Sequence, residues 1–124
     1  MVSDGVAVVA YHCGTATVSE SVVDGGLVWD LFHDCAEVTA QECGRGELPP
    51  SLRAAMLQQC GTFGVRFPAA DRLAVMRVLR GRGLALGGLH DVLANGVTGT
   101  AAEMEVLRGQ LAAAGVEVVV VAVG

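Results

Sequence analysis

The chain has 124 residues, 52% of them apolar and 17% charged, with a formal net charge of −5. That length fits one domain able to bury its own core, and the composition excludes a disordered chain, which needs low hydrophobicity and high charge. The acidic balance argues against general nucleic-acid binding, where a basic footprint supplies most of the affinity.

No apolar run reaches the roughly 18 residues of a membrane helix, so no membrane partner is expected. The first twenty residues contain Asp4 and no basic start, so they do not read as a secretory signal. A cytoplasmic protein with reduced thiols is the expectation.

Residues 5–11 (GVAVVAY) form a nearly continuous apolar run, the pattern of a strand covered on both faces. His12-Cys13-Gly14 offers a turn, and residues 15–23 alternate apolar with Thr and Ser. That period of two predicts a second strand hairpinned with the first. Residues 27–43 place Val28, Leu31, Phe32, Cys35 and Val38 on one stripe at helical spacing, which predicts an amphipathic helix. Pro49-Pro50 can open a helix over residues 51–60.

Residues 62–67 alternate Phe63, Val65 and Phe67 and predict a third strand before Pro68. A helix follows, with Pro68 and Asp71 suited to its first turn and its end at about Gly81, then a short strand at residues 84–86 and a helical turn over 89–93. Thr100-Ala101-Ala102-Glu103 matches a capping box. The helix it opens runs to Gly115, and the β-branched residues 116–123 predict a closing strand. The fold class is therefore α/β, with α+β as its variant. The expected form is a small two-layer sandwich with about four strands, an N-terminal hairpin and four to five helices. No linker or repeat divides residues 1–124, so a single domain is expected.

Cys13, Cys35, Cys43 and Cys60 lack the close C-x2–4-C pair of a zinc ribbon or finger. In the expected helix, Cys35 and Cys43 stand too far apart to share one zinc. Cys13 with His12 beside it is the candidate catalytic pair, because loops at strand ends commonly carry chemistry and a nearby histidine activates a thiol. Asp30, His33, Asp34 and Glu37 share one face of that same expected helix. They read as its solvated side rather than as metal ligands.

All eight basic residues are arginine. Residues 1–47 hold eight acids and one arginine, whereas residues 48–124 hold five acids and seven arginines. Tyr11, His12, Gly14 and Thr15, joined by Arg66 and Arg72, form the expected ligand-binding set, suited to carboxylate or phosphate. Residues 8–17 also resemble, in part, the phosphorylation segment of haloacid-dehalogenase-like enzymes. Tyr11 occupies the place of that family's nucleophilic aspartate. Residues 72–93 resemble a helix pair of MerR-type regulators, whose DNA-binding helices are absent from this sequence.

The leading expectation is a small ligand-binding or regulatory domain working as a homo-oligomer, its ligand an anionic small molecule. The strand at 116–123, as a sheet edge, would pair the copies. The alternative is a small thiol-dependent enzyme using Cys13 with His12. No cofactor is indicated.

Overall fold

The computed structural model describes residues 5–82 and 86–123. The chain is mixed α/β, with seven strands in two antiparallel sheets and four helices among the described residues. The expected strand at 84–86 falls largely on residues outside that description.

The first sheet is a meander of β1 (Val6–Tyr11), β2 (Gly14–Val23), β3 (Gly26–Asp34) and β4 (Thr39–Arg45), in that spatial order. The opening hairpin is as expected, with Tyr11 opposite Gly14 and His12-Cys13 forming its turn. The helix expected over residues 27–43 is corrected to β3 and β4. Two periods overlap in that segment: the helical stripe coexists with an alternation of Leu27, Trp29, Leu31 and His33. Asp24-Gly25 decides between them. Both residues take positive φ, 52° and 79°, the geometry of the two-residue hairpin loop that Asp-Gly favours. Val23 then faces Gly26, and the register continues to Ala16 opposite His33.

α1 (Pro50–Cys60) and α4 (Ala101–Ala113) supply the helical part of the meander's core, where Leu52, Met56 and Ala102 join Ala7, Ala16, Val18, Leu27 and Leu31. Two polar side chains share this apolar face of the meander: Glu20 on β2 and His33 on β3, 4% and 1% exposed. A buried polar group costs free energy unless it is hydrogen-bonded, and both have partners.

The remaining elements are β5 (Thr62–Val65), a 3-10 turn at Ala69–Asp71, α2 (Arg72–Gly81), α3 (Leu86–Asn95), β6 (Val97–Gly99) and β7 (Val121–Val123). The second sheet has the order β6-β5-β7. Its core gathers Val65, Val75, Leu79, Leu89, Met104, Leu107, Leu111 and Val116. α4 therefore serves both cores, Ala102 on one side and Met104, Leu107 and Leu111 on the other.

The capping box is present in both directions: Glu103 N–H donates to Thr100 Oγ1, and Thr100 N–H donates to Glu103 Oε1. At the other end Gly115 adopts φ 84°, and Val116 N–H returns to the Leu111 carbonyl, closing the helix as a glycine cap does. Of the expected closing strand only β7 is regular. No helix is long and apolar enough to cross a membrane among the described residues.

Candidate functional site

The meander brings two turns to the same end of its sheet. One is the β1–β2 turn carrying His12 and Cys13; the other is the β3–β4 turn that begins at Cys35, where Cys35 N–H donates to the Val38 carbonyl. Cys13 and Cys35 are joined by a disulfide across these turns, with their Cα atoms 6.7 Å apart. Reduced thiols were the expectation from sequence, and a common helix for Cys35 and Cys43. Instead Cys35 sits in a turn, bonded to Cys13, while Cys43 is an exposed free thiol on β4.

His33 lies beneath this bond. Its Nδ1 is 2.9 Å from the Thr15 carbonyl. A carbonyl only accepts, so Nδ1 carries the hydrogen and Nε2 keeps its lone pair in the neutral ring. Nε2 is 3.1 Å from Cys13 Sγ. Tyr11 stacks on the ring at 4.4 Å between centroids, and His12 meets Tyr11 edge-on at 4.8 Å. The imidazole is thus fixed by a backbone acceptor, a stacked phenol and burial.

This geometry reassigns the expected histidine. Among the described residues the ring nitrogen within reach of the Cys13 sulfur is that of His33; His12 is exposed and packs on Tyr11. Gly14 sits over His33, whose Cε1 would be 4.0 Å from a Cβ placed there. Thr15 contributes its carbonyl. Tyr11, Gly14 and Thr15 therefore lie around the His33 ring.

Arg66 and Arg72 are placed elsewhere. Arg66 follows β5 in the second sheet and Arg72 opens α2, both exposed. Among the described residues no hydrogen bond or ion pair joins either one to the turn. The four polar residues expected on one helical face are also separated. Asp30 accepts from Gln41 and Asp34 accepts from Thr39, both on the face of β3 opposite His33, and Glu37 lies in the turn.

A second polar cluster sits where β2 meets the start of α4. Glu20 accepts from Thr100 Oγ1 at 2.7 Å and from Ala102 N–H at 3.2 Å. Burial raises the Glu20 pKa above its ordinary value, against the lowering effect of those two hydrogen bonds. Arg53 on α1 holds Glu103 through Nε at 2.8 and 3.0 Å. A groove of about 460 Å³ runs beside this pair, lined in part by Gly26, Leu27, Arg82, Leu107 and Gln110. Its arginines are engaged, Arg53 by Glu103 and Arg82 by Gln110, so the cluster reads as a joint between elements.

Cys13, Cys35 and His33 are the only group of three potential metal-ligating side chains that converges among the described residues, with ligand atoms within 4.8 Å of one another. The helical spacing of residues 27–43 groups His33 with Asp30, Asp34 and Glu37 instead of with Cys13 and Cys35. Counting back from an Asp24-Gly25 hairpin would have brought His33 opposite Ala16 and Cys35 beside the turn of Cys13. Comparison with protein families, characterised proteins and solved structures finds no match for the chain.

Proposed function

We propose that the chain is a single-domain thiol–disulfide module in which Cys13 meets an external thiol and Cys35 is the resolving sulfur. One observation carries this reading: an exposed cysteine, bonded to a neighbour, lies 3.1 Å from the available nitrogen of a buried and oriented histidine. A nucleophile, a base within hydrogen-bond reach and a third group orienting that base make up the arrangement that activates thiols. An external thiolate attacks Cys13 Sγ, the bond to Cys35 breaks, and Cys35 leaves as a thiolate. In the reverse direction Cys35 attacks the mixed disulfide at Cys13 and expels the external thiol. In the reduced chain, Nε2 of His33 accepts the Cys13 thiol proton. This keeps the cysteine expected from the sequence and exchanges His12 for His33.

Cys43 is an internal reference, being exposed and free. In the reduced chain at neutral pH, iodoacetamide should alkylate Cys13 about tenfold or more faster than Cys43, and His33→Gln should bring the two rates together. Equal rates in the unsubstituted chain would remove the proposal.

A second reading retains the homo-oligomer, for which the edges of the two sheets differ. The β1 edge is blocked, because the Gln59 side-chain amide pairs with Val8 N–H at 2.8 Å and with the Val8 carbonyl at 2.7 Å. β7 is an edge strand beside β5, with Val121 and Val123 exposed and Val119 just before it 71% exposed. Free backbone groups and apolar side chains together favour pairing with a second copy. Light scattering at tens of micromolar should give a dimer that Val121→Lys dissociates; a monomer rules out this second reading.

A further inference from the structure

The reduced state of the same pair has a second use, and this inference rests on the thiol–disulfide reading. We propose that the reduced chain binds one soft divalent cation, zinc being the natural choice, through Cys13 Sγ, Cys35 Sγ and His33 Nε2. The three ligand atoms already lie within 4.8 Å of one another. Around a tetrahedral zinc, with Zn–S near 2.3 Å and Zn–N near 2.0 Å, ligand atoms stand about 3.3–3.8 Å apart. Once the disulfide opens, small side-chain rotations of two turn cysteines can reach that spacing, since one is exposed and the other half-buried.

The histidine is prepared as a ligand. Its Nδ1 donates to the Thr15 carbonyl at 2.9 Å, which leaves Nε2 as the free lone pair and fixes the ring plane. Metal-bound histidines are held this way by a backbone carbonyl or a carboxylate on the second nitrogen. Two thiolates, one dication and one neutral imidazole sum to zero charge. A neutral complex suits a site whose floor is a histidine only 1% exposed. Three protein ligands leave a fourth position for water or an external ligand.

The balance is closed. A dithiol reductant transfers two electrons and two protons to the disulfide, becoming a cyclic disulfide while Cys13 and Cys35 become thiols. The cation then displaces both thiol protons. Oxidation expels the cation, because a disulfide sulfur has no charge to bind it, so metal binding and the disulfide exclude one another.

Cobalt(II) provides the test, since thiolate ligation gives charge-transfer absorption and tetrahedral geometry gives intense visible bands. The full chain is reduced with a dithiol in denaturant, refolded and freed of reductant under anaerobic conditions. The result therefore does not depend on whether the bond opens in the native state. One equivalent of cobalt should bind with both spectral signatures and be displaced by zinc. The oxidised chain, identical in sequence, should show neither signature. Cys13→Ser and Cys35→Ser should each weaken binding at least about a hundredfold, and His33→Gln at least about tenfold, while the double variant Cys43→Ser with Cys60→Ser should bind as the parent does. Absence of the charge-transfer band in the refolded, reduced parent chain overturns the inference and leaves the thiol–disulfide reading standing. Loss of binding in the Cys43/Cys60 variant overturns it as well.

Discussion

Replacing Glu20 by alanine should destabilise the fold by about 3–5 kcal/mol, read from chemical denaturation of the oxidised chain. Glu20 is 4% exposed on the inner face of β2 and receives hydrogen bonds from Thr100 Oγ1 and Ala102 N–H at the start of α4. Alanine would strand a buried hydroxyl and a buried backbone N–H, each costing about 1–3 kcal/mol when left unpaired. It would also leave the space of one methylene and a carboxyl group. The loss should be cooperative, because α4 contributes to both cores.

The same residue sets a pH dependence. Burial raises its folded-state pKa above the ordinary 4.5. Between 4.5 and that raised value the folded chain binds more protons than the unfolded one, so stability falls as pH rises through this window. Glu20→Gln cannot titrate and should remove that slope. A parent curve that rises with pH across the window, unchanged by Glu20→Gln, would refute the assignment.

Opening the Cys13–Cys35 bond should cost about 3 kcal/mol of stability. The two cysteines are 22 positions apart, and cross-linking a loop of that length removes about this much freedom from the unfolded chain. The cost is a fraction of the roughly 5–15 kcal/mol that holds a domain together. The reduced chain should therefore stay folded, with its denaturation midpoint lowered and its far-ultraviolet dichroism kept. The double variant Cys13→Ser with Cys35→Ser should match the reduced parent within about 1 kcal/mol. A reduced chain that unfolds outright would make the bond a structural staple and deny it a reversible role.

How the sequence encodes this molecule differs from element to element. The opening hairpin, α1, β5, α2 and the capping box of α4 follow from local signals: alternation, Pro50 in the first turn, and the reciprocal pairing of Thr100 with Glu103. Residues 27–43 satisfied two periods at once, and the choice lay outside them, in the positive φ that Asp24-Gly25 adopts. The candidate site inherited that misreading. Cys13 was legible as a candidate at a strand end, but its partners lie 20 and 22 positions away and meet it only through the register of β2 with β3. Gly44 shows the same dependence: it faces the Trp29 ring across β3–β4, where a Cβ would be 2.6 Å from the indole nitrogen. Arginine clustering in the sequence carried no information about proximity to Cys13.

The reactivity of the Cys13–Cys35 bond in the folded chain is tested most directly by its rate of opening. The oxidised chain is placed with a dithiol in native buffer, quenched with acid at intervals, and its free thiols counted by mass after alkylation. The bond should open much faster than the chain unfolds globally, through attack at the exposed Cys13 sulfur, and should close again when the dithiol is replaced by its oxidised form. Opening that occurs only at the rate of global unfolding, or only in denaturant, would contradict a thiol–disulfide function.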